Sequence, residues 1–170
     1  NIKNVLSRPM IYYTIKACAE SNYDIDCYVS SEDLEILKIS KALGAKTFLR
    51  KNNLSNDKVF KQDVIADAVF NIFNEKDKPD IVISLQPNSP EIKFFHLDEA
   101  IKLKEKFKKK EIFSVDSNLM QNGAFRVMDY DTVFLKTLSM YCGVYICDLM
   151  DVHTPEELNK VEKRMSHFYD

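Results

Sequence analysis

Glycine is scarce in this chain of 170 residues, which contains only Gly44, Gly123 and Gly143. The three lie far apart in the sequence. The chain therefore has neither the glycine-rich loop of the P-loop proteins nor the Gly-x-Gly-x-x-Gly fingerprint of dinucleotide-binding domains. Both of these common modes of binding a nucleotide are excluded.

Cysteine is limited to Cys18, Cys27, Cys142 and Cys147, and no two of them form a Cys-x-x-Cys pair. This spacing argues against a zinc ribbon and against a thioredoxin-type redox site. Because Cys18, Cys27 and Cys142 lie among apolar residues, we expect them to be reduced thiols in or near the core. Reduced thiols are typical of a cytoplasmic protein.

An excess of positive charge and long apolar runs are also missing. The formal net charge is −2, and the one basic run, 102–110, also contains Glu105 and apolar residues. We interpret this run as the solvated face of a helix rather than a nucleic-acid surface. No apolar run reaches membrane-spanning length, and no signal peptide opens the chain. The sequence thus predicts a cytoplasmic protein without nucleic-acid or membrane partners.

Apolar spacing along the chain alternates between helical and extended periods. The predicted strands are 25–30, 47–49, 81–85, 112–115, 125–128 and 141–146. The predicted helices are 9–19, a second from a cap at Ser30 or Ser31 to Gly44, a third from Asp57 to Phe73, 97–107 and 154–167. This alternation predicts an α/β fold in one domain, 1–170, with helices on both faces of a mostly parallel mixed sheet.

The segment Ile81–Leu85 is an apolar run that predicts a buried, parallel strand in the centre of the sheet. It ends abruptly in Gln86-Pro87-Asn88-Ser89-Pro90. Ligands of open α/β sheets bind beyond the carboxyl ends of the strands, so these polar residues lie where a ligand would be held. An ordinary turn, with Asn and Ser as local hydrogen-bond acceptors, is the alternative interpretation.

The segment Asp151-Val152-His153-Thr154-Pro155-Glu156-Glu157 predicts a rigid helix start. Thr154 suits the N-cap, Pro155 suits the first helical position, and Glu157 completes a capping box. Asp151 and His153 then project from a fixed edge, where a carboxylate can carry a hard metal ion. A plain strand-to-helix junction with a solvated Asp would show the same pattern.

These motifs together resemble the CMP-sialic acid synthetases, the cytidylyltransferases that activate acidic sugars. In the order of that family they are Asn1 with Pro9-Met10-Ile11, Leu85-Gln86-Pro87-Asn88-Ser89-Pro90, Asn122-Gly123-Ala124 and Asp151-Val152-His153-Thr154. The resemblance implies a three-layer, Rossmann-like nucleotidyltransferase fold. It also implies an enzyme that transfers CMP from CTP to a sialic-type sugar and releases pyrophosphate.

The resemblance further assigns roles to individual residues. The implied catalytic residues are Asp151 and Gln86, the nucleotide contacts are Asn1, Arg50 and Ser89, the substrate contacts are Gln86, Asn88, Asn122 and Gly123, and the metal ligands are Asp151 and His153. Two of these assignments compete with simpler ones. Arg50 could be a surface charge beside Lys51, and Asn122-Gly123 is also a strong hairpin-turn signal.

A divalent metal is implied as the cofactor, normally Mg²⁺, which takes one or two protein carboxylates together with phosphate oxygens. The family carries Asp at the second metal position, where this chain has His153. Imidazole is a poor ligand for Mg²⁺ and an acceptable one for Mn²⁺. His153 could instead contact phosphate or lie at the surface, where we also expect His96 and His167.

The chain departs from the family in three further places. The family's first strand and phosphate-binding loop would precede Asn1, so we expect that Asn1 is not the natural start. The arm that family members use for dimer exchange is reduced to a few residues between Val115 and Asn122. Whether the chain forms a homodimer is left undecided by the sequence. The Arg that follows the 85–90 motif in the family is replaced by Glu91-Ile92-Lys93.

Two other functions are compatible with these departures. A nucleotidyltransferase of the same fold could act on a sugar phosphate or an alditol phosphate, because the spacing of Asp151 and Thr154 is also seen there. A degenerate, non-catalytic nucleotide-binding domain would explain His153, the replaced Arg and the absent phosphate-binding loop.

Overall fold

Helices and short strands alternate along the chain, as the sequence predicts. The computed structural model describes residues 2–55 and 59–166. The helices are α1 (Met10–Ala19), α2 (Leu34–Ala42), α3 (Lys61–Ile72), α4 (Phe94–Lys106) and α5 (Pro155–Ser166). The strands are β1 (Asn4–Val5), β2 (Arg8–Pro9), β3 (Tyr28–Ser31), β4 (Lys46–Leu49), β5 (Ile81–Leu85), β6 (Glu111–Val115), β7 (Gln121–Asp129) and β8 (Cys142–Ile146). Short 3-10 helices cover Asn52–Leu54 and Tyr130–Phe134.

Every predicted helix and strand is present, with shifted boundaries. Asp57 and His167, the predicted ends of two helices, lie outside the described residues. The antiparallel pair of β1 and β2 is absent from the prediction. Its strands have two residues each, which is too short for an alternating apolar pattern in the sequence. Leu6 and Ser7, which form the turn between them, have positive φ although neither is glycine.

The main sheet has four strands in the order β5-β7-β6-β8. β7 is antiparallel to both of its neighbours, and β6 is parallel to β8. Three strands therefore run in one direction and β7 runs against them. β3 and β4 form a separate parallel pair.

Helices cover both faces of the main sheet. Val127 of β7 packs in a core cluster with α1 and α4, whereas its neighbour Met128 packs with Val69 of α3 and with Val133. Successive side chains of a strand point to opposite faces, so α3 and α4 lie on opposite sides of the sheet. This three-layer arrangement confirms the predicted α/β class with a mixed sheet.

The placement of Ile81–Leu85 at the centre of the sheet is wrong. Within residues 2–55 and 59–166, β5 pairs with β7 alone, in the antiparallel sense, and its residues are half-buried. Ile81, Ile83 and Leu85 pack on the core beneath α4, whereas Val82 packs on the α3 side. Helices on both faces thus explain the continuous apolar run. β7, which returns from β6 and inserts beside β5, makes β5 an outer strand of this sheet.

The stretch where the family carries its arm is a tight turn between β6 and β7. The backbone N–H of Asp116 donates to the carbonyl of Met120 at 2.8 Å. The Asp116 carboxylate accepts the N–H groups of Asn118 and Met120, each at 2.9 Å. Leu119 adopts a φ of 65° to close the turn.

Two smaller predictions are also wrong. The N-cap of α2 is Asp33, not Ser30 or Ser31, because its carboxylate accepts the N–H groups of Glu35 and Ile36. Cys142 is exposed rather than near the core, since it lies on the outward side of the edge strand β8. Cys18 is buried and Cys27 is half-buried, as expected, and both are free thiols.

Candidate active site

The end of β5 and the start of α5 meet in the folded chain. The N–H of Val152 donates to the carbonyl of Asn88 at 2.8 Å. The amide of Asn88 approaches Nε2 of His153 at 3.5 Å. The two segments that the sequence singles out therefore form one continuous wall.

The start of α5 has the predicted capping box. Oε2 of Glu157 accepts the N–H groups of His153 and Thr154 at 2.7 and 2.8 Å, and the N–H of Glu157 donates to Oγ1 of Thr154 at 3.2 Å. The His153 and Thr154 N–H donors lower the pKa of Glu157 because they favour its ionised form. The backbone around His153 is thereby fixed on the helix side.

The Asp151 carboxylate is held between two neighbours. Its Oδ1 accepts the hydroxyl of Ser89. Its Oδ2 lies beside Gly123, where a Cβ atom would come within 3.1 Å of it. Gly123 also has a φ of 74°, which favours glycine. The Asp151 side chain is 23% exposed, and Oδ2 lies 4.0 Å from Nε2 of His153.

An open cavity of about 1430 Å³ lies beside this wall. Gln86, Asn88, His153 and Arg50 are among its lining residues. Residues of β3 and β5 also line the cavity, as do apolar residues of α1 and α3. The cavity is therefore large enough for a nucleotide-sized ligand.

Gln86 and Arg50 reach the cavity in different ways. The N–H of Gln86 donates to the carbonyl of Ala124 at 2.9 Å, which fixes the backbone at the end of β5. Arg50 forms an ion pair with Glu32, and its Nε donates to Oγ of Ser55 at 3.2 Å. Its guanidinium is thus already engaged within the protein.

Of the remaining predicted residues, Ser89 and Asn122 form hydrogen bonds within the protein. Ser89 is fully buried, and its hydroxyl points to Asp151. The amide of Asn122 donates to the carbonyl of Cys147 at 2.5 Å and accepts the N–H of Ala124 at 3.2 Å. Asn1 lies outside the described residues.

The hairpin interpretation of Asn122-Gly123 is wrong. Both residues lie within β7, and the turn precedes them at 116–120. The register between β6 and β7 shifts between Phe113 and Val115. The positive φ of Gly123 serves this irregularity and the close approach of Asp151.

The sequence profile of the cytidylyltransferases matches residues 1–141. The chain belongs to the cytidylyltransferase family. Among curated proteins, it is 31% identical to N-acylneuraminate cytidylyltransferase A of Danio rerio over 115 residues, which is 68% of this chain and 26% of that protein. It is also 31% identical to pseudaminic acid cytidylyltransferase of Campylobacter jejuni over 91 residues, 53% of this chain and 39% of that protein. The chain thus spans about a quarter of the Danio rerio relative.

Solved structures of related cytidylyltransferases share the fold. A CMP:2-keto-3-deoxy-manno-octonic acid synthetase complexed with CTP superposes with a TM-score of 0.79 at 14% identity, covering 98% of this chain and 91% of that one. A 4-diphosphocytidyl-2C-methyl-D-erythritol synthase of Anaerococcus prevotii gives a TM-score of 0.67 at 9% identity, covering 96% and 91%. These likenesses confirm the Rossmann-like nucleotidyltransferase fold.

Cytidylyltransferases of this kind generally use a divalent metal ion. Among the described residues, no three His, Cys, Asp or Glu side chains form a metal-binding cluster. Asp151 can offer Oδ2, because Oδ1 already accepts the Ser89 hydroxyl. One carboxylate oxygen fits Mg²⁺, whose other ligands would be phosphate oxygens and water, whereas the imidazole of His153 does not suit Mg²⁺.

Two residues beside the site escape sequence reasoning. Glu91 is buried next to the cavity-lining segment and forms an ion pair with Arg164 of α5, with Nε and Oε1 2.8 Å apart. The only sequence signal for Glu91 is that it belongs to the segment Glu91-Ile92-Lys93, which replaces the Arg that follows the 85–90 motif in the family. Its partner is remote in sequence, so the pair appears only in the fold.

Proposed function

We propose that this chain transfers CMP from CTP to an acidic, nonulosonic-type sugar, producing a CMP-sugar and pyrophosphate. One observation carries the proposal: the Asp151 turn joins the Gln86–Ser89 segment beside a nucleotide-sized cavity, in a chain of the cytidylyltransferase family. Curated relatives whose names specify N-acylneuraminate and pseudaminic acid support the sugar class.

The chemistry requires positioning and charge neutralisation. The attacking sugar oxygen and the leaving pyrophosphate must lie in line with the α-phosphorus. A bound divalent metal ion, for which we propose Mg²⁺ with Mn²⁺ as a substitute, would neutralise phosphate charge. Asp151 would hold this ion through Oδ2, and the missing side chain of Gly123 permits the close approach of that oxygen.

Gln86 would bind a hydroxyl group of the ligand, whereas Asp151 would bind the metal ion. Its carboxamide can donate and accept at the same time, which suits a sugar or ribose hydroxyl at the cavity wall. The amide of Asn88 can join it from the same loop. His153, which is largely exposed at the cavity, would contact phosphate rather than Mg²⁺.

The location belongs to the proposal as well. Among the described residues, none of the helices has the length and apolar character needed to cross a bilayer. The cysteines in the described part of the chain are free thiols. We propose a cytoplasmic location, which fits reduced thiols.

Pyrophosphate release tests the function directly. The purified protein should release pyrophosphate from CTP with Mg²⁺ and a nonulosonic acid, and should do so poorly with UTP or GTP. Turnover with an alditol phosphate or glucose 1-phosphate, but not with acidic sugars, would contradict the substrate class. Binding of CTP without turnover on any acceptor would favour a non-catalytic domain.

Substitution of Asp151 tests the assigned carboxylate. We expect Asp151→Asn to lower kcat by about a hundredfold or more, because it removes the charge that holds the metal. The folded state should persist, as circular dichroism and thermal unfolding can show. Asp131→Asn is the matched control, because Asp131 is exposed in a 3-10 helix outside the cavity lining. Near-native turnover of Asp151→Asn would show that this carboxylate is not the ligand.

A further inference from the structure

In addition to the Asn88–His153 contact, three hydrogen bonds join the segment after β5 to the segment around Asp151. The carbonyl of Asn88 accepts the N–H of Val152, and the hydroxyl of Ser89 donates to Asp151. Oε2 of Glu91 accepts the N–H of Met150 at 3.0 Å. The backbone on each side of Asp151 and its carboxylate are therefore all tied to one loop.

Among the described residues, Asp151 is the one hydrogen-bond partner of the Ser89 hydroxyl. The side chain is fully buried and therefore has no surface for a ligand. Its hydroxyl donates to Oδ1, so it favours one orientation of the carboxylate. In that orientation Oδ2 lies beside Gly123 and accepts no hydrogen bond from the described residues.

Glu91 connects the segment around Asp151 to α5. Its carboxylate is 8% exposed, and Oε1 forms an ion pair with Nε of Arg164 at 2.8 Å. The guanidinium of Arg164 also donates to the carbonyl of Asp148 at 2.7 Å. Burial raises the pKa of Glu91, whereas the Met150 N–H and the charge of Arg164 oppose that rise. Burying a carboxylate is costly, and a neutral amide could also accept the Met150 N–H.

We propose that Ser89 and Glu91 are positioning residues for Asp151, and that Arg164 holds Glu91 in place for this task. The inference rests on the proposed function, in which Asp151 holds the metal ion. Hydrogen-bond partners of metal ligands typically change metal affinity about 10- to 100-fold when they are removed. A small displacement of a positioned group can likewise cost about a hundredfold in rate.

Measuring Mn²⁺ affinity distinguishes residues that position Asp151 from residues that only stabilise the fold. Electron paramagnetic resonance titration reports Mn²⁺ affinity without turnover, and it should be combined with kcat, the metal activation constant and thermal unfolding. We expect Ser89→Ala to weaken Mn²⁺ binding and raise the activation constant about tenfold or more. We expect Glu91→Ala to do the same, and Glu91→Gln to do so less because Gln keeps an acceptor for Met150.

Ser40→Ala is the matched control for Ser89→Ala. Ser40 is also fully buried, and its hydroxyl donates to the carbonyl of Ile36 at 2.7 Å within α2. Its removal should affect thermal unfolding but neither Mn²⁺ affinity nor kcat. In an Asp151→Asn background, Ser89→Ala should add no further loss of Mn²⁺ affinity, because Ser89 acts through that carboxylate.

The outcomes separate the two proposals. If Asp151→Asn weakens Mn²⁺ binding and lowers turnover while Ser89→Ala and Glu91→Gln behave like Ser40→Ala, the positioning role is overturned and the proposed function stands. If Asp151→Asn itself keeps Mn²⁺ affinity and turnover, the assigned metal ligand is wrong. If Glu91→Ala does not fold, Ser89→Ala and Glu91→Gln still decide the matter.

Discussion

At the scale of single residues, His96 shows how a histidine that is expected at the surface acquires a structural role. It lies half-buried in the first turn of α4, and Nδ1 accepts the N–H of Lys93 at 3.0 Å. Burial lowers the pKa of His96 to about 4. A protonated Nδ1 could not accept this hydrogen bond, so the folded state requires the neutral ring.

This requirement makes stability depend on pH. The unfolded chain protonates its histidine near a pKa of about 6.5, whereas the folded chain does so only near a pKa of about 4. The contribution of His96 to the free energy of unfolding should therefore be constant above about pH 6.5. It should fall by on the order of 2 kcal/mol as the pH drops to about 4.

His96→Gln isolates this contribution. Gln at the same helix position keeps an acceptor for the Lys93 N–H but does not titrate. Urea unfolding at several pH values should show a flatter profile between about pH 6.5 and 4 for His96→Gln than for the wild type. Parallel profiles for the two proteins would refute the role of His96.

The residues of the site differ in how far sequence could predict them. Asp151, Gln86 and Asn88 carry local signals, namely a capped helix start and polar residues that end an apolar strand. Glu91 and Arg164 carry no such signal because their contact depends on how α5 docks. Asn122 carried a signal for a turn, yet Gly123 beside it serves a bulged strand and the approach of Asp151.

At the scale of elements, α5 was the most predictable because its start depends on neighbouring residues alone. Thr154, Pro155 and Glu157 occupy the predicted cap positions. The cap of α2 was less predictable, since Ser31 and Asp33 are both good capping residues. The Ser31 hydroxyl instead accepts the N–H of Asp33, and Asp33 caps the helix.

Removal of the α5 cap should destabilise the protein. Thr154→Ala removes the oxygen that accepts the Glu157 N–H, so we expect the free energy of unfolding to fall by about 1 kcal/mol. Denaturant unfolding measures the change. Thr137→Ala is the control, because Thr137 is exposed in the loop before β8 and its loss should cost less than about 0.5 kcal/mol. Equal midpoints for Thr154→Ala and the wild type would contradict the cap.

At the scale of the whole molecule, periodicity predicts the class of the fold but not the order of its strands. The apolar run of β5 indicates helices on both faces, and that prediction is confirmed. Which strand lies beside β5 depends on the return of β7, which pairs residues remote in sequence. In the described part of the chain, β3 and β5 each pair on one side only, and residues of both strands line the cavity.

The cavity gathers candidate site residues from across the whole molecule. It brings Gln86, His153 and Arg50, from three separate parts of the chain, to one open space of about 1430 Å³. Asp151 does not itself line this space, but Val152 and His153 beside it do. Hydrogen bonds link the Asp151 turn to the end of β5. The central claim is that this junction is a single nucleotide and metal site.

Crystals of the protein soaked with CTP and Mn²⁺ test that claim most directly. The anomalous signal of Mn²⁺ would locate the metal, and the electron density would locate the nucleotide. We expect the metal within coordination distance of Oδ2 of Asp151, with the nucleotide in the cavity beside Gln86. Mn²⁺ and CTP bound together at another surface, with Asp151 still turned to Ser89 and contacting neither, would contradict it.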